Sequence, residues 1–249
     1  MEEGADPDMD SDSGSSAGAS PGRGPVLLIH GFTGSADTTW RPTGLIDLLQ
    51  ESGREVLAPD LWGHGRSAMK SHDPNDYEGL ETELLGELPE GAPVDVVGFS
   101  AGARIALVMA ATEPRRFSRL VVAGVGRNLF HRDPDRSELI ARAVAGEAEP
   151  GDVVGQAFAR YASQSGQDPL ALAAFLRRPT PPLGVAELGR IDLPVLVALG
   201  DADFVGPADE LLAALPDARL HQLRGTDHFA TPKSFDLLDA VLGFLGTSP

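Results

Sequence analysis

From Pro25 to the C-terminus, short apolar runs alternate with stretches whose apolar residues recur at helical spacing. That alternation restricts the chain to a mostly parallel sheet with helices on both faces, because parallel strands need crossovers long enough to hold a helix. Strands buried on both sides read as continuous apolar runs rather than in-out alternation. Runs at 26–30, 55–59, 94–99, 120–123, 195–199 and 219–223 therefore predict six parallel strands. Stretches 42–52, 77–88, 101–112, 207–215 and 233–245 predict helices, each with one apolar face, as in Leu45, Leu48 and Leu49. With 249 residues, 42% of them hydrophobic, the chain has enough apolar material for one large core, so 25–249 is expected to form a single α/β domain.

Two segments depart from the alternation. Residues 126–190 carry three short helical patterns, 137–146, 153–164 and 169–176, and no strand candidate. An insertion of that kind, leaving the sheet at the carboxyl end of a strand where ligands bind in open α/β sheets, is expected to form a helical lid; the alternative is a helical subdomain that only covers apolar surface. Residues 1–24 form an acidic Ser/Gly-rich tail, with Glu2, Glu3, Asp6, Asp8, Asp10 and Asp12 and almost no aliphatic residue. Such a segment buries too little to offset its ordering entropy and is expected to be disordered. It lacks the basic start and apolar run of a secretory leader, and no apolar stretch approaches the length of a membrane span.

The net charge of −17 argues against electrostatic binding of nucleic acid or an anionic membrane surface, and leaves a small molecule as the expected partner. Cysteine is absent, so disulfides, thiol catalysis and thiolate metal sites are excluded, and a reducing, cytoplasmic setting is expected. The His, Asp and Glu residues show no close ligand spacing, so neither a metal nor another cofactor is expected. Oligomeric state has no signature in the sequence.

The chemistry-bearing motif is Gly98-Phe99-Ser100-Ala101-Gly102, between the predicted strand 94–99 and a predicted helix. A serine on so sharp a strand-to-helix turn is held in a strained backbone conformation, and flanking side chains would collide with the neighbouring elements. The turn presents Ser100 outward. A nucleophilic serine needs a base, an acid behind the base, and donors for the oxyanion. His228, in the polar loop Gly225-Thr226-Asp227-His228-Phe229 between the last strand and helix, and Asp203, in Gly200-Asp201-Ala202-Asp203 after the penultimate strand, reach the same rim of the sheet.

Four motifs in order, His30-Gly31-Phe32-Thr33-Gly34, Asp60-Leu61-Trp62-Gly63-His64-Gly65-Arg66-Ser67, the serine turn, and the late Asp and His, make the chain resemble the α/β-hydrolase fold superfamily, in its serine hydrolase and esterase-like branch. The resemblance runs from about Pro25 to the C-terminus. It implies Ser100 as nucleophile, His228 as base and then acid, Asp203 as the residue fixing the imidazole, and the backbone N–H groups of Phe32 and Ala101 as oxyanion hole. Asp201 competes with Asp203, and the family pattern favours Asp203 because it stands three residues after the glycine. His30, His64 and Asp60 are expected to hold loop geometry, and His72, His131 and His221 to be surface or structural. Trp40, Phe99 and Arg104 are candidates for the substrate pocket. The family core usually opens with an antiparallel hairpin before the strand leading to His-Gly; only the tail stands there, so a sheet shortened to about six strands is expected. Asp227 replaces the glycine common before the catalytic histidine, and it either raises the imidazole pKa or points to solvent.

Serine at the turn excludes the related dehalogenase and epoxide-hydrolase branches, which use aspartate there. Hydrolysis of a small carboxylic ester, lactone or thioester is the leading reading. The runner-up is a lyase similar to the pyruvate-eliminating synthase of the menaquinone pathway, suggested by Arg104 one turn after the serine, with Arg127, Arg132, Arg136 and Arg142 as further cations. Carbon–carbon bond hydrolysis on the same triad is a third reading. A non-enzymatic binding module is disfavoured because all three triad positions are present.

Overall fold

The computed structural model describes residues 24–131, 133–164 and 167–247. The predicted tail, Gly24 excepted, lies outside the described residues, as does Arg132.

Six strands form one sheet: β1 (Val26–Ile29), β2 (Val56–Leu57), β3 (Val94–Phe99), β4 (Phe117–Ala123), β5 (Val195–Gly200) and β6 (Ala218–Leu223). Their spatial order is β2-β1-β3-β4-β5-β6, and every neighbouring pair is parallel. The chain goes outward from β1 to β2, then crosses back to lay β3 on the other side of β1 and proceeds one way to β6. The strand order reverses between β1 and β3, so the loops leaving their carboxyl ends diverge and open a crevice there. Those two loops carry Phe32 and Ser100.

The strands sort their side chains by parity, and each face acquires its own core. Leu27, Ile29, Val94 and Val96 pack on one side and Val26, Leu28, Val97 and Val121 on the other. The α-helices among the described residues are α1 (Ala36–Thr39), α2 (Leu45–Glu51), α3 (Leu80–Gly86), α4 (Ala101–Thr112), α5 (Pro134–Arg142), α6 (Val153–Gln164), α7 (Pro169–Arg177), α8 (Val185–Leu188), α9 (Asp209–Ala214) and α10 (Phe235–Leu245). On the first face lie Leu80 and Leu84 of α3, Ile105 of α4, Leu188 of α8 and Leu211 of α9; the second is covered by Leu49 of α2 and Leu242 of α10.

The predicted boundaries differ from the structure in informative places. The run 55–59 contributes only Val56 and Leu57 to the sheet, because β2 is an edge strand and Pro59 has no N–H to offer a ladder. Strand β4 begins at Phe117, earlier than its aliphatic run suggests, since Ser118 and Arg119 hide the pairing with β3. The helix expected over 77–88 is a 3₁₀ turn at Pro74–Tyr77 followed by α3; Gly79, at φ 85°, separates them with a backbone no helix interior accepts. Between β4 and β5 the described residues hold α5, α6, α7 and α8 and no strand. Helix α5 runs into a π-helical turn, Ala143–Glu147, and packs against both α6 and α7.

One buried ion pair ties the start of the domain together. Arg54 Nη2 donates to Asp95 Oδ2 at 2.8 Å, and Nε donates to the Gly24 carbonyl at 2.7 Å, with Arg54 and Asp95 both almost fully buried. Removing one member leaves the other charge in low dielectric, which costs more than the pair itself stabilises. Arg54→Met is expected to lower unfolding free energy by about 3 kcal/mol, read from the urea midpoint at constant m-value. Half-exposed Arg119, 3.5 Å from Asp95, keeps the loss at the low end of the usual range.

Candidate active site

Ser100 follows the last residue of β3 and precedes α4, with φ 52° and ψ −111°. Its own N–H still donates to the Ala123 carbonyl of β4 at 2.8 Å, so the sheet ladder extends under the turn. The flanking glycines are demanded by contact. A Cβ on Gly102 would sit 2.2 Å from the Ile29 carbonyl oxygen, and one on Gly98 would sit 2.6 Å from that of Gly102. Both collisions are with backbone, which cannot swing aside.

Two later loops meet this turn. His228 Nε2 lies 3.0 Å from Ser100 Oγ, and Nδ1 lies 3.0 and 3.1 Å from the two carboxylate oxygens of Asp203. Asp203 Oδ1 also accepts the Val205 N–H at 3.1 Å, which fixes the carboxylate. An Nδ1–H donated to Asp203 leaves Nε2 free to accept from Ser100. Asp203 and His228 are both buried, whereas Asp201 is exposed and makes no hydrogen bond to the imidazole. Rings of Phe99 and Phe204 flank His228, with centroids 5.2 and 4.7 Å away. Asp227 is exposed, and its carboxylate accepts the Ala230 N–H at 2.8 Å, tying the turn that follows the histidine.

The loop after β1 faces Ser100 from the other side of the crevice. Leu61 N–H donates to His30 Nε2 at 3.0 Å, so Nδ1 carries the proton and donates to the Gly31 carbonyl at 2.8 Å. Burial pushes His30 below its ordinary pKa and His64 well below it, with the neighbouring His30 adding to the effect on His64. Both rings are neutral supports of the loop. Asp60 accepts N–H groups from Ala36 and Arg66, which joins this loop to the one after β2. The Phe32 N–H meets no protein acceptor among the described residues, and Ala101 opens α4, where the first amides have no intrahelical partner and the helix dipole is positive.

A cavity of about 130 Å³ opens at Ser100 and His228, walled by Phe32, Phe99, Phe158, Tyr161 and Phe229. Phe158 and Tyr161 come from α6, so the insertion forms part of the wall. Two of the three pocket candidates lie elsewhere. Trp40 is buried in the opposite core layer with Leu45 and Leu238, because the residue that caps α1 turns toward α2 and α10. Arg104 points from α4 to the insertion's return segment, where Nη2 donates to the Pro181 carbonyl at 2.6 Å. Phe99 does line the cavity. Arg136 and Arg142 pair with Asp152 and Glu147 on the insertion, and Arg127 lines a separate cleft with His131 and Phe204. His72, His131 and His221 meet Asp168, Glu210 and Asp236 near the surface.

Gln167 escapes sequence reasoning altogether. Its buried Nε2 donates to the Thr33 carbonyl at 2.8 Å and the Gly34 carbonyl at 3.2 Å, while Oε1 accepts the Gly65 N–H at 3.2 Å. One side chain of the insertion thus clamps both glycine-bearing loops beside the serine. Among the described residues no three His, Asp or Glu are grouped to hold a metal ion, and no helix is long and apolar enough to cross a membrane.

A parallel sheet that reverses order at the crevice, with a serine on the strand-to-helix turn there and histidine and aspartate from the last two βα loops, defines the α/β-hydrolase fold. The model of the alpha/beta hydrolase family matches residues 26–236, and the chain belongs to that family. It is 33% identical over 109 residues to an sn-1-specific diacylglycerol lipase, ABHD11, of Danio rerio, across 42% of this chain and 32% of that protein. It is likewise 33% identical over 102 residues to a 2-hydroxymuconate semialdehyde hydrolase of Pseudomonas sp. (strain CF600), across 40% of this chain and 36% of the relative. The matched segment thus spans about a third of the length of these curated relatives. Among solved structures, a carboxylesterase of the thaumarchaeon Nitrososphaera gargenis superposes with a TM-score of 0.66 at 21% identity, over 90% of both chains.

Proposed function

We propose that this member of a hydrolase family is a serine hydrolase that cleaves a small-molecule carboxylic ester, lactone or thioester through an acyl-enzyme. The observation that carries the reading is the 3.0 Å contact between Ser100 Oγ and His228 Nε2, backed by Asp203 on Nδ1. Ser100 Oγ attacks the substrate carbonyl carbon as His228 takes its proton, and the carbonyl electron pair moves onto oxygen, held by the Phe32 and Ala101 N–H groups. Collapse of this oxyanion breaks the bond to the leaving group, which departs with the proton from His228. Water then repeats the sequence on the acyl carbon and frees Ser100. Asp203 keeps the imidazole in the tautomer that accepts at Nε2 and stabilises the imidazolium. No cofactor enters these steps.

The helical insertion serves as the lid, supplying Phe158 and Tyr161 to the cavity. Absence of cysteine suits a cytoplasmic setting. The similarity to 2-hydroxymuconate semialdehyde hydrolase favours carbon–carbon bond hydrolysis as the second reading. The lyase reading loses its specific support, since Arg104 is held by the Pro181 carbonyl. A fluorophosphonate probe is expected to label the native protein and not Ser100→Ala; an unlabelled native protein overturns the serine mechanism.

A further inference from the structure

Among the residues lining the cavity at Ser100, Lys233 is the only one with a Lys, Arg, Asp or Glu side chain. The others present aromatic faces, threonine side chains, glycine backbone and the Pro232 ring, apart from the Ser100–His228 pair. Lys233 ends a short 3₁₀ turn, Thr231–Lys233, that follows the histidine loop directly. The Thr231 N–H donates to the Asp227 carbonyl and the Lys233 N–H to that of Ala230, so the backbone that places His228 also places Lys233.

Its side chain is exposed, and its ammonium stands over an aromatic ring. Nζ lies 5.4 Å from the centroid of Tyr161, which itself lines the cavity and stacks at 7° on Phe229. An ammonium over an aromatic face is held by the ring quadrupole without being neutralised. No carboxylate among the described residues comes within 4.0 Å of it, in a chain with 37 acidic and 20 basic residues. The cavity lining therefore carries one lysine charge, on an exposed side chain whose ammonium stands over the Tyr161 ring.

We propose that Lys233 is an anion-recognition residue, and that the substrate of this site is an ester bearing a carboxylate away from its scissile carbonyl. The proposal deepens the serine hydrolase reading and rests on it for the word ester. A singly charged carboxylate matches a single ammonium, whereas a phosphate dianion in the same place would remain half uncompensated. Remote acidic groups do not cancel this preference, because charges more than a Debye length away, about 8 Å at physiological ionic strength, are largely screened, and the Asp227 carboxylate on the same turn is engaged by the Ala230 N–H.

Two measurements test it. Ligand-observed NMR on the full chain is expected to show benzoate binding that exceeds that of neutral benzamide, falls about tenfold in Lys233→Met and returns in Lys233→Arg. In kinetics, the ratio of kcat/KM for 4-acetoxybenzoate over its methyl ester is expected to fall about tenfold in Lys233→Met, recover in Lys233→Arg and fall further in Lys233→Glu. Benzoate binding no better than benzamide, or a ratio that Lys233→Met leaves unchanged, overturns the anion site even where the fluorophosphonate probe labels Ser100. An unlabelled native protein that still binds benzoate through Lys233 overturns the serine mechanism and keeps the anion site.

Discussion

Ser100→Ala and His228→Ala are each expected to lower kcat on an ester substrate by roughly a million-fold, and the double variant is expected to lower it no further. The reason is geometric. Ser100 Oγ and His228 Nε2 share one hydrogen bond at 3.0 Å, and neither group has a second route to an activated oxygen. Without the imidazole the hydroxyl stays protonated at neutral pH; without the hydroxyl the imidazole has nothing to activate except stray water. The two losses are one loss, so their free energies do not add. A residual rate about 10³–10⁴ above the uncatalysed reaction is expected in all three variants, supplied by substrate binding and by the amides of Phe32 and Ala101. The fold is expected to be retained in Ser100→Ala. Alanine carries the same Cβ into the φ 52° backbone that serine already occupies, and the N–H of residue 100 keeps its bond to the Ala123 carbonyl. Single-turnover kinetics with circular dichroism on the same samples reads both expectations. Double-variant losses that multiply would mean that the two residues act independently.

The parts of this molecule that the sequence discloses are those whose constraint is local. Glycines on both sides of Ser100 answer to backbone collisions within one turn, so their spacing is visible in five residues. The alternation of buried strands and amphipathic helices is visible because β1, β3 and β5 are buried along their whole length. At the sheet margins the signal fades: β2 shrinks to two residues, and β6 is exposed or half-buried up to its last residue, Leu223. Contacts between distant segments leave still less trace. Gln167 reaches Thr33 across 134 positions, in a loop whose composition announces nothing. Trp40 stands beside a glycine loop that does border the cavity, yet its ring turns into the far core layer, and only packing decides that. Arg104 shows the same limit, since its position on α4 is fixed by the serine turn while its partner, the Pro181 carbonyl, lies 77 residues away. Phe158 reads in the sequence as one apolar residue of a helix among several; only the fold separates it from those that pack the insertion internally.

The choice between Asp203 and Asp201 is where sequence spacing and structure can be played against each other by experiment. Asp203→Asn is expected to reduce kcat by about 10⁴-fold with little change in KM, and Asp201→Asn to leave both within about twofold. In the native site the buried Asp203 carboxylate accepts from Nδ1–H, and the tautomer so chosen exposes a lone pair at Nε2 toward Ser100. An asparagine amide in the same position can donate as well as accept. When it donates to Nδ1, the imidazole proton moves to Nε2 and points at the serine hydroxyl, so the base is lost although every heavy atom stays in place. The missing negative charge also leaves the transient imidazolium uncompensated in a pocket walled by Phe99 and Phe204. Asp201 differs in each respect: its side chain is solvent-exposed, and its backbone N–H, which bonds to the Leu223 carbonyl, is untouched by the substitution. Burst kinetics separates the steps, because acylation and deacylation both need Nε2 as a base and should slow together in Asp203→Asn. Near-normal turnover in Asp203→Asn alongside a dead Asp201→Asn would reverse the assignment, and would require the loop after β5 to shift by two residues against a carboxylate that the Val205 N–H now holds in place.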